Sequence, residues 1–357
     1  MNRGHLYMSK LFFKDKPIIG LDISTTSIKL MSVDTKRWEV LGYGSIDVDP
    51  SAMETSLETD GKYIAEQLKK LMQEKILGVF GSNHVIMGIP TSRTYSRSVT
   101  IKNDITSPLA DSIQLEAEQY IPIPIAQLYM DYEVTNKDKE STTALMCAVP
   151  QKIVNNCVNA AAESNLKVVM VEPGMLSVAR LLRYTEDGSL PTVVVDIGAA
   201  STDVAVIDGT IKVTGGLPVG GNTFTLDISE KLKVSLEKAH QLKVLNGLSS
   251  SPKQKAITGA LEPNLKRITQ EIKKIIRYYI ERVPGARNIE QVIIVGGGSN
   301  VPGIGEYFTD NLVIASRIAS PWQMLNFAKL PQPARQFKPR YLTVAGLASI
   351  RPEEIWK

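Results

Sequence analysis

Twice in its 357 residues the chain repeats one pattern: an apolar β-branched run, an aspartate, a loop of small residues, and a second apolar run. Residues 19–30 read IGLDISTTSIKL, and residues 193–204 read VVVDIGAASTDV. Runs of this composition favour burial on both faces, as in the inner strands of a sheet. A carboxylate at the end of such a strand is costly unless a cation or hydrogen-bond donors meet it. The small residues that follow leave backbone N–H groups free to face an anion. A metal-bound phosphate satisfies both demands, and the duplication predicts two related domains.

The length agrees with this, since 357 residues exceed what one core usually organises. A hydrophobic content of 43% supports real cores. The formal net charge is only +4 and the basic residues form no dense tract, which argues against nucleic-acid binding. Cys147, Cys157, His5, His84 and His240 are scattered without zinc-ligand spacing. No apolar run is long enough to span a bilayer, and MNRGHLYMSKLFFKDKP lacks the apolar core of a signal peptide. A cytoplasmic protein is expected, with residues 1–16 a mobile leader and Met1 or Met8 as its start.

From Ile18 onward the pattern reads as a β-meander through residue 48, then a helix over 61–77 with Ile64, Leu68, Leu71 and Met72 at helical spacing. VIMGIP (85–90) and SRSVTI (96–101) read as a strand pair. Ser107-Pro108 reads as N-cap and first-turn proline of a helix with Leu109, Ile113 and Tyr120 on one stripe. Further strands at about 129–134 and 141–150 and a helix from Gln151 complete a block over 85–165 that reads as an insertion. The second meander is followed by helices at about 223–246 and 262–283, a buried strand ending in Gly296–Gly298, and a short apolar helix in YLTVAGLASI.

Three loops, each after an apolar strand, carry the chemistry: 22–27, 196–203 and 296–300. Ligands of open α/β sheets collect beyond the carboxyl ends of strands. If the two meanders face one another, their acidic turns form a phosphate clamp. Asp22 and Asp196 would arrange the water shell of Mg²⁺, which takes few carboxylates and keeps several waters. Backbone N–H groups of Thr25, Thr26 and residues 199–201 would hold phosphate oxygens, and Lys29 would reach a phosphate. Gly296, Gly297 and Gly298 permit close approach to a base or sugar. No P-loop pattern and no G-x-G-x-x-G after a strand is present.

The hairpins DISTTSIK and DIGAASTDVAV, together with GGGSNVPGI, resemble the two phosphate motifs and the adenosine motif of the actin, chaperone and sugar-kinase ATPase superfamily. Within it, EAEQYIPIPIAQLYMDYEV (116–134) is similar to the signature of the PilM family, the actin-like proteins of type IV pilus assembly and relatives of FtsA. The likeness covers roughly residues 17–350. It implies an α/β, two-domain actin-like ATPase fold: duplicated mixed sheets flanked by helices, with an inserted FtsA-like subdomain. The expected boundaries are 17–84 with 166–185 as domain I, 85–165 as the insertion, and 186–340 as domain II with a helical part at about 222–285. Residues 341–357 are expected to return to domain I as a C-terminal helix.

The resemblance also implies site roles. Asp22 and Lys29 match the first loop, with Ser24 where many relatives have Gly; Asp196, Gly198 and Asp203 match the second. Glu172 occupies the position of an acidic residue that orients attacking water, although a carboxylate there also suits a helix N-terminus. Lys243 matches a ribose-contacting lysine, with His240 replacing that pattern's Glu. Ala199, Ser201, Thr202, Gly221, Asn222 and Ser299 complete the expected nucleotide contacts. Asp203 has a turn role as its alternative, His240 reads as a surface helix residue, and Tyr120 and Tyr129 read as subdomain core rather than partner-binding aromatics. The cofactors implied are ATP or ADP with Mg²⁺, with slow turnover at most. The partner implied is the N-terminal cytoplasmic peptide of the inner-membrane protein PilN, with pilus motor ATPases as further candidates and membrane contact only indirect. An FtsA- or MreB-like filament and a small-molecule kinase are the alternatives.

Overall fold

The computed structural model describes residues 16–103, 107–250, 252–319 and 321–356; of the expected leader, all but Lys16 lies outside them. The chain divides into two compact units, residues 1–90, 151–185 and 321–357 in unit 1 and residues 91–150 and 186–320 in unit 2.

Unit 1 is built on a meander of β1 (Ile19–Ile23), β2 (Ser27–Asp34) and β3 (Glu39–Asp47), edged by β4 (Leu77–Gly78). Strand β5 (His84–Ile89) runs parallel to β1, and β9 (Lys167–Pro173) parallel to β5, giving the order β4-β3-β2-β1-β5-β9. Every residue of β1 is buried, which explains its uninterrupted apolar character. Ile19, Leu21 and Ile23 pack against α1 (Pro50–Glu58), α2 (Lys62–Glu74) and α4 (Gln151–Glu163) through Met53, Leu68 and Ile153. Helix α1 starts where the Asp49 carboxylate accepts from the Ala52 N–H at 2.8 Å, with Pro50 in the first turn. The opposite sheet face carries α5 (Gly174–Leu182) and α10 (Leu342–Ala348). Gly20 lets the α10 backbone approach β1, since a Cβ there would lie 2.5 Å from the Val344 carbonyl oxygen.

Unit 2 repeats the plan. Strands β10 (Thr192–Ile197), β11 (Thr202–Asp208) and β12 (Thr210–Leu217) form the meander, β13 (Gln291–Val295) runs parallel to β10, and β14 (Ser316–Ile318) parallel to β13. The order β14-β13-β10-β11-β12 thus matches β9-β5-β1-β2-β3. Its core joins Val193, Val195 and Val204 to α6 (Gly221–Leu232), α7 (Leu236–Leu245), α8 (Gln254–Arg282) and α9 (Ile304–Leu312). Beyond β12 the same sheet continues into β6 (Tyr95–Lys102), β8 (Ser141–Pro150) and β7 (Leu128–Lys137). Those strands, with α3 (Leu109–Glu118), hold a separate core of Val99, Ile113, Ala117 and Met146. They join the main sheet at the Val213–Arg97 pair of β12 and β6.

Several expectations differ from the structure in instructive ways. The two runs read as a strand pair do not pair: β5 lies between β1 and β9, whereas β6 lies between β12 and β8. The chain passes from one sheet to the other at Pro90–Thr91, so the 85–165 block is shared between units, with 85–90 and 151–165 in unit 1. Helix α3 begins at Leu109 with Pro108 rather than Ser107 at the cap. The segment 223–246 is two helices, broken where Lys233 takes a left-handed conformation and Ser235 caps α7. Helix α8 starts at Gln254 and runs through Pro263, which costs one backbone hydrogen bond but is outweighed by the buried row of Ile257, Leu261, Leu265 and Ile268. Tyr129 is 48% exposed, not core.

Candidate nucleotide-binding site

The first hairpin loop closes on itself. The Ser24 N–H donates to the Ser27 carbonyl at 3.0 Å, and the Ser27 N–H donates to the Ser24 hydroxyl at 3.1 Å. Thr25 and Thr26 lie half-buried in the same turn, and the Thr26 carbonyl accepts from Val48 at 3.1 Å. Asp22 and Lys29 stand directly opposite each other across the β1–β2 ladder, and Lys29 Nζ donates to Asp22 Oδ2 at 2.8 Å with both side chains buried. The expected metal carboxylate and phosphate-seeking lysine therefore neutralise one another.

Glu172 is the penultimate residue of β9 and is 3% exposed. Arg180, two turns into α5, grips it with both terminal nitrogens, at 2.8 Å to Oε1 and 2.6 Å to Oε2, and also donates to the Gly346 carbonyl at 3.0 Å. The pairing raises the arginine's affinity for its proton against the opposing effect of burial. A carboxylate held by a bidentate guanidinium is a structural anchor before it is a base.

The second hairpin has the same loop with a different charge. The Gly198 N–H donates to the Ser201 carbonyl at 2.9 Å, matching Ser24 and Ser27. Asp196 stands opposite Asp203, so the ladder position that holds a lysine in unit 1 holds a carboxylate in unit 2. Like charges directly opposite are mutually destabilising, and a divalent cation offsets them. Thr202, fully buried, donates its hydroxyl to the Val219 carbonyl at 2.7 Å and ties this hairpin to the loop before α6.

That loop completes a cluster within unit 2. Gly221 and Asn222 donate their N–H groups to the carbonyls of Gly198 and Ala199 at 2.9 and 2.8 Å. Lys243, on α7 and 7% exposed, donates to the Gly221 carbonyl at 2.7 Å and to the Thr225 hydroxyl at 2.8 Å. Burial pulls the Lys243 pKa down to about 8, which marks an ammonium held without adequate solvation. Gly296 has φ +84°, and a Cβ there would collide with Asp196 Oδ1; a Cβ at Gly298 would strike the Ile197 side chain. Gly298 lies close to Gly221 as well. Gly297 lies in the same turn, and Ser299 spends its hydroxyl on the Gly296 carbonyl at 2.7 Å.

Asp196, Gly198, Ala199, Gly221, Asn222, Lys243, Gly296 and Gly298 are therefore brought together, while Glu172, Asp22 and Lys29 are engaged inside unit 1. Paired aspartates, small-residue loops, a buried lysine and a glycine cradle thus lie together in unit 2. Sequence reasoning missed Thr225, Gly220 and Arg180. The glycine pair after β12 signalled the tight Gly220 packing, where a Cβ would lie 2.6 Å from the Ala199 carbonyl. Arg180, eight residues after Glu172, is legible only once a strand-to-helix turn is drawn between them. His240 is exposed on α7 as expected.

A duplicated mixed sheet with helices on both faces and paired acidic hairpins defines the actin-like ATPase fold. The family described as type IV pilus assembly protein PilM matches residues 20–351, and the chain belongs to it. Among solved structures, a PilM-PilN type IV pilus biogenesis complex is similar with a TM-score of 0.76 and 21% identity, covering 94% of this chain and 98% of that one. MreB5 of Spiroplasma citri bound to ADP aligns with a TM-score of 0.51 and 16% identity over 93% of this chain and 95% of that one. The cell division protein FtsA of Borreliella burgdorferi is 23% identical over 94% of this chain and 76% of its own length. The FtsA of Bacillus subtilis is 22% identical over 97% and 83%. No helix among the described residues is long and apolar enough to cross a membrane.

Proposed function

We propose that this chain is a cytoplasmic, ATP-binding adaptor of type IV pilus assembly that holds the N-terminal cytoplasmic peptide of the inner-membrane protein PilN and couples nucleotide state to assembly of the complex. The observation that carries the reading is the convergence of Asp196, the 198–199 loop, Gly221, Lys243 and Gly296–Gly298 in one unit. Asp196 and Asp203 would hold Mg²⁺ through its water shell, the Ala199, Ser201 and Thr202 segment would meet phosphate oxygens, and Lys243 would meet a ribose or phosphate oxygen. The 22–27 hairpin is proposed as a phosphate-contacting loop of unit 1, through Ser24, Thr25 and Thr26. Family membership and the solved PilM-PilN complex support the PilN assignment; pilus motor ATPases are proposed as further partners.

Turnover is proposed to be slow, because Glu172 is committed to Arg180 and Lys29 to Asp22. The test is retention of the purified chain on an immobilised PilN N-terminal peptide, with and without ATP-Mg²⁺, beside calorimetric titration of ATP. Retention that rises with ATP-Mg²⁺ in the wild type but not in Asp196→Asn is expected. Equal retention with and without nucleotide removes the coupling; no retention removes the partner. A large pelleted fraction on sedimentation with ATP would favour a filament instead.

A further inference from the structure

Helices α3 and α8 both pack on the sheet where β12 meets β6, and Arg97 of β6 emerges between them. Its guanidinium lies 4.3 Å from the ring centre of Tyr120 and 4.8 Å from that of Tyr278. Arg97 is held against both rings, and among the described residues its guanidinium makes no hydrogen bond or ion pair. The Tyr120 hydroxyl is buried beside it without a hydrogen-bond partner. Arg97, Tyr120, Tyr278, Arg277, Arg282 and Glu116 line a recess of about 430 Å³. Neither Arg277 nor Arg282 has an ion pair among the described residues. The planar guanidinium presents a fork of N–H donors that suits a carboxylate.

A second recess of about 290 Å³ adjoins it, with Ile276, Ile280, Leu312 and Ile314 in its walls and Arg277 and Glu281 shared with the first. Ile280 leaves 44% of its surface exposed there. Arg277 and Ile280 are three apart on α8, so cationic and apolar features lie side by side. A small free anion would account for the first recess and leave the second unexplained.

We propose that the two recesses form one docking surface for a peptide segment of a partner protein that carries an acidic side chain next to an apolar one. The carboxylate accepts from Arg97 and Arg277, while the apolar side chain covers Ile276 and Ile280. The surface lies on helices and strands that the nucleotide loops do not use, so its test is independent of ATP binding.

The experiment pans a phage library of random 12-residue peptides against the immobilised full chain and measures the most enriched peptide by fluorescence anisotropy. Enrichment of sequences that pair Asp or Glu with Leu, Ile or Phe is expected. Binding should weaken about tenfold in Arg97→Gln, in Arg277→Gln and in Ile280→Ser, should fall with added salt, and should be unchanged in Lys69→Gln. Three separate variants keep the result interpretable if Arg97→Gln fails to fold. Enriched peptides without acids, affinity unaffected by both Arg277→Gln and Ile280→Ser, or no enrichment would overturn the proposal. Displacement of the peptide by millimolar inorganic phosphate, with phosphate binding untouched by Ile280→Ser, would mark a small-anion site and overturn it as well.

Discussion

Lys243 is a cation whose hydrogen-bond partners are neutral, the Gly221 carbonyl and the Thr225 hydroxyl. Its pKa of about 8 in the folded chain lies below the ordinary 10.5, so between those values the unfolded chain binds more protons and stability rises with pH. The charged lysine thus costs on the order of 3 kcal/mol at neutral pH. Denaturant titrations at pH 7.5 and 10.5 are expected to show the wild type gaining that much over Lys243→Met, while the variant binds ATP about tenfold more weakly. Glu172 poses the opposite case. Glu172→Gln leaves Arg180 without its carboxylate and is expected to lower stability by about 3 kcal/mol; Glu172→Gln with Arg180→Met should recover most of it. If Glu172 served only as a base, the single variant would lose turnover with an unchanged melting temperature. The spacing of Asp22 and Lys29 was readable in the sequence, but their mutual ion pair was not, because strand register decides which side chains face each other.

At the level of elements, both hairpins were legible because each β-branched run is punctuated by an aspartate and small residues. The start of α8 was not, since Pro263 resembles a first-turn proline and the apolar stripe upstream of it is sparse in sequence. Pairing of β5 with β6 was misread for a related reason: neighbouring extended runs usually pair, and nothing in Pro90–Thr91 announces a change of sheet. Tyr279 ties the end of α8 to the β11–β12 turn. Its hydroxyl donates to Asp208 Oδ2 at 2.7 Å and accepts from the Arg287 N–H at 3.0 Å. Burial and the neighbouring carboxylate push that phenol up to about 12, so it remains a donor across the working range. Tyr279→Phe is expected to cost about 1–2 kcal/mol in denaturant titration with native far-UV circular dichroism retained. Gly346→Ala should cost more, about 1–3 kcal/mol, because a Cβ there collides with the Ser177 carbonyl where α10 packs on α5.

Across the whole molecule, each unit has its own apolar core, and in each a buried base with a lowered pKa makes stability rise with pH, over a different range. In unit 1, His84 is buried against Trp356, and desolvation, then Lys167 and Lys16, lower its pKa below 6.5. The unfolded chain therefore takes up a proton first as pH falls through 6.5, and stability of that unit declines on acidification. Scanning calorimetry is expected to resolve two transitions: one moving down between pH 7 and 6 and restored by His84→Phe, the other moving up between pH 8 and 10 and insensitive to that variant. A single transition that shifts as one body under both changes would refute it.

The block over 91–150 is spliced to the rest of its sheet at one paired position, Val213 with Arg97, yet keeps a core of its own. Such a graft leaves both neighbouring interiors intact when its sequence changes. Substitutions confined to Val99, Ile113, Ala117 or Met146 are thus expected to disturb that block before they reach the strands that carry the candidate nucleotide loops.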